Sequence, residues 1–271
     1  DVFEAAQAGD IMAIEIFKIK IKLMNNQALS FQRQTPIDLN DKTKHAPALW
    51  DIKEIPCCIG VVGLNEAIQY ITGNQIHEDI NSYNVAKDLL TRLQYVISEE
   101  AFGLDFKIAF ARTPAETTAQ RFAVCDLFNK KYADKAINVI KGDIQNAIEN
   151  NEKSNDLPIY YTNGAMISND ADVSLIQKIR LEEYAFNIFD GGNIFHIFLG
   201  EGNPYPEGIL SLIERILETT NIKYFTFTKD YTICRKCNNM MNGLKELCEM
   251  CKSDDITQFS RITGYIQAVK G

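Results

Sequence analysis

Four cysteines and one glycine carry the chemistry that this sequence offers most clearly. Cys234 and Cys237 form one C-x-x-C turn, and Cys248 and Cys251 form a second after a ten-residue spacer. Two such turns present four sulfurs from tight loops, the ligand set of a structural Zn(Cys)4 site. The spacer is shorter than in most zinc ribbons but long enough for a small hairpin. Four thiolates around a divalent ion leave a net charge of −2, which Arg235, Lys236, Lys245 and Lys252 in and beside the turns can offset. Two disulfides, or four unrelated thiols, are the alternative. Shortly afterwards comes Arg261-Ile262-Thr263-Gly264-Tyr265. A glycine here serves a strand turn, or a close backbone approach in which its own Cα is the reacting centre.

A third segment, Thr113-Pro114-Ala115-Glu116, has the letters and spacing of a capping box: Thr113 as N-cap, Pro114 at N1 and Glu116 at N3. Such a segment starts a helix. With Thr117 and Thr118 following, the same helix N-terminus is also a ready phosphate site, and the two roles are compatible. The remaining candidates read as structure. Cys57 and Cys58 open an apparently buried strand and Cys125 lies on an apolar helical face, so all three are expected to be inert core, with a redox pair at Cys57-Cys58 the lesser reading. His196 alternates onto the face of Ile194 and Phe198, as a buried, hydrogen-bonded histidine would. His45 and His77 fall in polar loops. With three histidines and no H-E-x-x-H, a catalytic zinc is not expected.

The elements that must position these residues follow from periodicity. Residues 1–30 and 81–101 read as amphipathic helices, and 210–219 as another. Strands are expected at 52–64, 106–111 and 223–228, with strand and turn signals at 160–165 and 188–200. Residues 132–153 begin helical and turn polar. Strands alternating with helices imply a mostly parallel, barrel-like α/β body. At 271 residues with a formal charge of −8, and with no basic stripe, the chain does not suit a duplex nucleic-acid binder. It has no long uncharged apolar run, so no membrane span is expected, and no signal peptide opens it. Seven cysteines without a disulfide pattern suit a reducing cytoplasm. The start at Asp1 without Met reads as a fragment.

Taken together, I-G-V-V-G-L-N-E-A (59–67), T-P-A-E-T-T (113–118), Y-Y-T-N-G (160–164), F-H-I-F-L-G-E (195–201), the paired C-x-x-C turns and R-I-T-G-Y closely resemble the C-terminal part of the anaerobic, class III ribonucleoside-triphosphate reductases. These are glycyl radical enzymes. The resemblance implies residues 1–222 as the C-terminal half of an α/β barrel and 223–271 as a zinc-binding and glycyl radical segment. It implies that Gly264 carries a backbone radical, installed by an activating enzyme that uses S-adenosylmethionine and an iron–sulfur cluster. The radical passes to a cysteine thiyl that attacks the ribose of a ribonucleoside triphosphate, while formate or a redoxin supplies electrons. Cys234, Cys237, Cys248 and Cys251 would hold structural Zn2+. Thr113, Glu116, Thr117 and Thr118 would receive the substrate phosphates. A cytoplasmic homodimer is expected. The thiyl cysteine and the regions that bind ATP and dNTP effectors are expected upstream of Asp1, so this stretch alone should not turn over nucleotides. Thr263 departs from the smaller residue common before the glycine. Two rivals remain: an acyltransferase resembling pyruvate formate-lyase, which adjacent Cys57 and Cys58 would suit, and a non-catalytic zinc-ribbon scaffold.

Overall fold

The computed structural model describes residues 7–9, 11–19, 56–112, 115–150, 157–164, 167–168, 171–199 and 204–260, and the backbone alone of 36–38, 41–45, 261 and 266–270. These group into two compact units. The first comprises residues 1–171 with 187–193, and the second 172–186 with 194–271.

In the first unit, residues 7–9 and 11–19 are helical (α1); the rest of the helix expected over 1–30 lies outside the described residues. A hairpin of β1 (Pro36–Asp38) and β2 (Asp41–His45) follows. Strand β3 (Cys57–Gly60) then leads into α2 (Leu64–Thr72) through Gly63. Gly63 has φ +75°, where an L side chain is strained, and an added Cβ would stand 3.4 Å from the Tyr161 Cβ. The long helix α3 (Ile80–Ala101) begins at Asp79, whose carboxylate accepts the backbone N–H groups of Asn81 and Ser82. Its buried positions, Ser82, Ala86, Leu90, Leu93 and Ile97, recur at steps of three and four and lay one stripe against α2 and β4 (Ile108–Ala111).

Strand β4 pairs parallel to β3, with Cys57 opposite Ile108 and Gly60 opposite Ala111. Its other edge meets residues 190–192: Asp190 Oδ1 accepts the Phe110 N–H at 2.8 Å, and the Gly191 N–H donates to the Phe110 carbonyl at 2.8 Å. That approach needs glycine, because a Cβ on Gly191 would lie 2.8 Å from the Ala109 Cβ.

Helix α4 (Glu116–Leu127) buries Ala119, Ala123 and Leu127. Beyond it lie α5 (Ala133–Ala136), α6 (Ile144–Glu149) and the short antiparallel pair β5 (Lys141–Gly142) and β6 (Ile159–Tyr160). The stretch from 132, read as helical at first and then polar, is as far as residue 150 two short helices split by a strand. Ala123, Leu127, Ile140, Ala147, Leu157 and Ile159 form a common core among these elements.

The second unit contains α7 (Leu175–Glu182), which the sequence reading did not anticipate although Ser174 and Gln177 form a complete capping box. The short α8 (Ala185–Ile188) follows. Strand β7 (Phe195–Phe198) pairs parallel to β8 (Phe225–Thr228) across α9 (Pro206–Thr219). Phe186, Phe195, Ile197, Ile216 and Ile222 make its core, each fully buried apolar side chain contributing about 1.5–3 kcal/mol. His196 is buried, its Nδ1 3.2 Å from Thr228 Oγ1 and its ring stacked on Phe198, the environment expected of it. An antiparallel sheet of β9 (Tyr231–Cys234), β10 (Met240–Asn242), β11 (Ile256–Arg261) and β12 (Ile266–Lys270), in the order β10-β9-β11-β12, completes the unit.

The architecture is therefore mixed α and β, with one parallel strand pair in each unit. No closed barrel is present among the described residues. A barrel requires every strand to be paired on both sides in a consistent stagger, whereas β3–β4 and β7–β8 are each two-stranded sheets. Nor does any described helix have the length and apolarity to cross a membrane.

Candidate metal centre and helix entrance

The two C-x-x-C turns are built alike. In the first, the Asn238 N–H donates to the Cys234 carbonyl at 2.9 Å and the Cys234 N–H to the Asn239 carbonyl at 3.0 Å. In the second, the Lys252 N–H donates to the Cys248 carbonyl at 2.9 Å and the Cys248 N–H to the Ser253 carbonyl at 2.8 Å. In each, the residue after the second cysteine takes a left-handed backbone, Asn238 at φ 57° and Lys252 at φ 58°. Asparagine adopts that conformation readily and lysine does not, so the second turn is held by more than local preference.

The hairpin β9–β10 carries the first turn. Strand β11 leaves the second turn and returns alongside β9, pairing Ile256 with Cys234. This brings the four sulfurs within 4.8 Å of one another. Cys234 Sγ lies 3.6 Å from Cys251 Sγ, and Cys237 Sγ 3.5 Å from Cys248 Sγ. A tetrahedron of thiolates at about 2.3 Å from zinc has edges of about 3.8 Å, so the cluster fits an ion with little adjustment. Disulfides do not describe it: all four cysteines are free. Four sulfur ligands leave no open position for water or substrate, which suits a structural ion.

Cys234 and Cys248 are fully buried beside Met241, with Ile256 packed against them. The Cys251 N–H, with further help from Cys237 and the Met250 N–H, draws the Cys248 thiol down to about 6. Of the four cations expected to offset the cluster's charge, Arg235 faces Asp255 (4.0 Å) and donates to Thr257 Oγ1 (2.7 Å), while Lys245 faces Glu249 (4.0 Å). Gly264 itself, with Thr263 and Tyr265, lies outside the described residues. The strands on either side are described, with Arg261 opposite Ile266.

At the entrance of α4 the capping-box expectation is corrected. The helix begins at Glu116, its N-cap is Ala115, and that cap supplies no side-chain hydrogen bond. Thr113 and Pro114 lie outside the described residues. Asn163, remote in sequence, closes the entrance instead: its Oδ1 accepts the Ala115 N–H at 2.9 Å and its Nδ2 donates to Glu116 Oε1 at 3.0 Å. Next to it, Thr162 gives its backbone N–H (3.0 Å) and its hydroxyl to the carboxylate of Glu66, which is 2% exposed. The Gly63 N–H donates to the Thr162 carbonyl at 3.0 Å. Thr117 and Thr118 are exposed on the first turn. Sequence reasoning quoted N-E-A and Y-T-N-G without assigning Glu66, Thr162 or Asn163 a role; only their pairing reveals it.

The remaining thiols also differ from expectation. Cys58 is exposed and Cys57 half-buried, because only Ile59 of β3 is buried. Cys125 is exposed too and lines a cavity of about 590 Å3 with Val62, Tyr70, Phe122, Tyr132 and Tyr161. It sits two residues from Ala123, about 200° around the helix from the buried stripe.

Comparison with known proteins is consistent with this layout. No curated protein matches the chain significantly. Among solved structures, an anaerobic ribonucleotide reductase aligns at 20% identity and a TM-score of 0.59, over 79% of this chain and 30% of that one. The anaerobic ribonucleotide reductase of Thermotoga maritima with dATP in the specificity site aligns at 15% identity and 0.66, over 98% and 39%. The same protein in complex with dATP and CTP aligns at 18% and 0.55, over 79% and 32%. The likeness is one of fold, and the chain spans 30–39% of the length of these structures. The family model for anaerobic ribonucleoside-triphosphate reductase matches residues 11–270. Over nearly its whole length, then, the chain belongs to the anaerobic ribonucleoside-triphosphate reductase family.

Proposed function

We propose that residues 1–271 form the radical-bearing C-terminal part of an enzyme that reduces ribonucleoside triphosphates to 2′-deoxyribonucleoside triphosphates, the precursors of DNA. The family match over residues 11–270 carries this reading. The course of the chain supports it, since β11 runs directly from the four-cysteine cluster toward Gly264.

In this proposal Gly264 loses its Cα hydrogen to an activating enzyme that uses S-adenosylmethionine and an iron–sulfur cluster. Gly264 then takes a hydrogen atom from a cysteine outside this stretch, and the thiyl abstracts the ribose 3′ hydrogen. The 2′ hydroxyl leaves as water, the 3′ hydrogen returns, and two electrons come from formate, oxidised to carbon dioxide, or from a redoxin dithiol, oxidised to a disulfide. Cys234, Cys237, Cys248 and Cys251 hold Zn2+, which contributes folding free energy to the segment 223–271. The sheet built on that cluster anchors the two strands flanking Gly264, which need a rigid mount if a thin loop is to enter an active site. Thr113, Glu116, Thr117 and Thr118 stand at the seat of the substrate phosphates. The nucleotides bound by the Thermotoga maritima protein, dATP and CTP, indicate the effector and substrate classes. The whole enzyme is a cytoplasmic homodimer.

The test uses the full-length protein, incubated without oxygen with its activating enzyme and S-adenosylmethionine. A doublet electron paramagnetic resonance signal, chain scission at Gly264 on exposure to air, and conversion of a ribonucleoside triphosphate to its deoxy form are expected. A radical with exchange of formate into pyruvate, and no deoxynucleotide, would mean an acyltransferase. No radical and no scission, with an activase competent on another substrate, would leave only the scaffold.

A further inference from the structure

We propose that Asp230 is a positioning residue for the radical-bearing glycine, acting through Ser260; this rests on the reading of Gly264 as the radical carrier. Strand β11 runs from the second cysteine turn toward Gly264, and every side chain along it from Ile256 to Ser260 is engaged. Ile256 packs against the buried cysteines. Thr257 Oγ1 accepts the Arg235 Nε–H at 2.7 Å, and Gln258 Nε2 donates to the Lys245 carbonyl at 2.9 Å. Phe259 stacks on Tyr231, with ring centroids 5.1 Å apart and planes 15° off parallel. The Ser260 hydroxyl donates to Asp230 Oδ1 at 2.7 Å. Successive side chains of a strand point to opposite faces, so both faces of β11 are tied. Only Thr257 of these five residues is buried, so the strand is fixed by specific pairings rather than by enclosure in a core.

Asp230 acts where the ladder between β9 and β11 ends. The pairing runs from Cys234 and Ile256 to Tyr231 and Phe259, and one further step of the same register sets Ser260 against Asp230. There a bond from hydroxyl to carboxylate, one of the stronger kinds, takes over from the backbone. At the next position β11 is paired with β12, Arg261 opposite Ile266, so this contact stands at the base of the hairpin that carries Gly264. Asp230 is itself pinned. Its carbonyl accepts the Gly243 N–H (2.9 Å), the Thr232 hydroxyl donates to the Gly243 carbonyl (2.8 Å), and the Lys245 N–H donates to Thr232 Oγ1 (2.9 Å). The spacer between the two cysteine turns thus holds the acid, and the acid holds the base of the hairpin. Gly264 lies four residues past Ser260, at most about 14 Å of extended chain. A swing of about 5° at the base moves a point at that reach by about 1 Å. A misplacement of about 1 Å between reacting groups can cost on the order of 100-fold in rate, and the transfer of a hydrogen atom to Gly264 is a step of that kind.

The experiment compares wild-type, Asp230→Ala, Asp230→Asn, Ser260→Ala and the Asp230→Ala, Ser260→Ala double variant in the full-length, activated enzyme. It measures metal content, glycyl radical yield, kcat and KM for a ribonucleoside triphosphate. Asp230→Ala and Ser260→Ala should each lower kcat by roughly tenfold or more, with KM, bound metal and radical yield unchanged. Asp230→Asn keeps an acceptor for the Ser260 hydroxyl and should retain most of the rate. The double variant should be no slower than the slower single one, because both changes remove the same bond. The proposal is overturned if kcat is unaltered in both single variants, if their losses multiply in the double variant, or if metal and radical are lost together with the rate. Should Asp230→Ala fail to fold, Ser260→Ala decides alone. Should wild-type carry no radical, the proposed reaction fails, and hydrogen exchange still decides whether Asp230 holds the hairpin. Faster exchange over 261–270 in Asp230→Ala, with 231–242 still protected, is the result expected; exchange equal to wild-type overturns it.

Discussion

The four-cysteine cluster and the entrance of α4 are both fixed by hydrogen bonds, and they are encoded in opposite ways. Each cysteine turn closes on itself, through hydrogen bonds that span four or five residues. The whole ligand set lies within 18 residues, 234–251. The entrance of α4 is assembled from three stretches, with Asn163 48 positions from Ala115 and Thr162 96 positions from Glu66. Local spacing can specify the first kind of site, because a short loop has few ways to present two sulfurs. The second kind exists only after the core of α4, β6 and α2 has formed. It inherits its accuracy from packing, and it is exposed to any change that loosens that packing.

The largest expected effect tests the self-contained site. Cys248→Ser should lower metal affinity by roughly 100-fold or more, beyond the 10–100-fold that loss of a ligand's supporting partner costs, and a chelator should strip the ion from wild-type. Metal content after dialysis measures this. Hydrogen exchange should then accelerate in β9, β10 and β11 while α4 and the core around Ile159 stay protected. Loss of protection in both regions would mean that the two sites are not independently encoded.

Next is the strut beneath the assembled site. Glu66→Ala removes two hydrogen bonds to a buried carboxylate and should destabilise the first unit by about 2–3 kcal/mol. It should also raise exchange at the α4 entrance while leaving bound metal unchanged, which hydrogen exchange and metal analysis report together. A variant that unfolds no more easily than wild-type would show that Thr162 finds another acceptor.

Gly63→Ala should cost about 1–2 kcal/mol, the strain of an L residue in the left-handed region, with the Tyr161 Cβ 3.4 Å away giving little room. Chemical denaturation checks it, and a midpoint shift without a slope change is expected.

The smallest effect lies away from both sites. The Ser82 hydroxyl and the N–H groups of Asn81 and Ser82 hold the Asp79 carboxyl below its ordinary value. A carboxyl whose folded value is depressed contributes stability above its unfolded value near 3.9 and loses it as pH falls through the folded one. Asp79→Ala should therefore lower the thermal midpoint modestly at pH 7, and the gap from wild-type should close as pH falls through that depressed folded value. A constant gap across that range would assign the cap to geometry rather than to charge.

What could be read from the residues alone was whatever depends on short separations. The long stripe of α3, the helical stretch 210–219, the strands at 57–60, 108–111 and 225–228, and the paired cysteine turns all rest on periods and spacings that the chain states locally. Readings that required knowing what covers a face went astray. Cys58 and Cys125 were expected in the core, but burial is decided by neighbours that periodicity does not name, and both are exposed. The capping box failed for a related reason: the letters T-P-A-E fit, yet Asn163 supplies the acceptor for the Ala115 N–H from 48 residues away.

The sequence by itself determined the sulfur tetrad and the family, because ligand spacing and motif order are written along the chain. Only the tertiary structure decided how the α4 entrance is held and which thiols face solvent. Those depend on contacts across tens of residues, and no local pattern of residue types specifies which partner the folded core will bring.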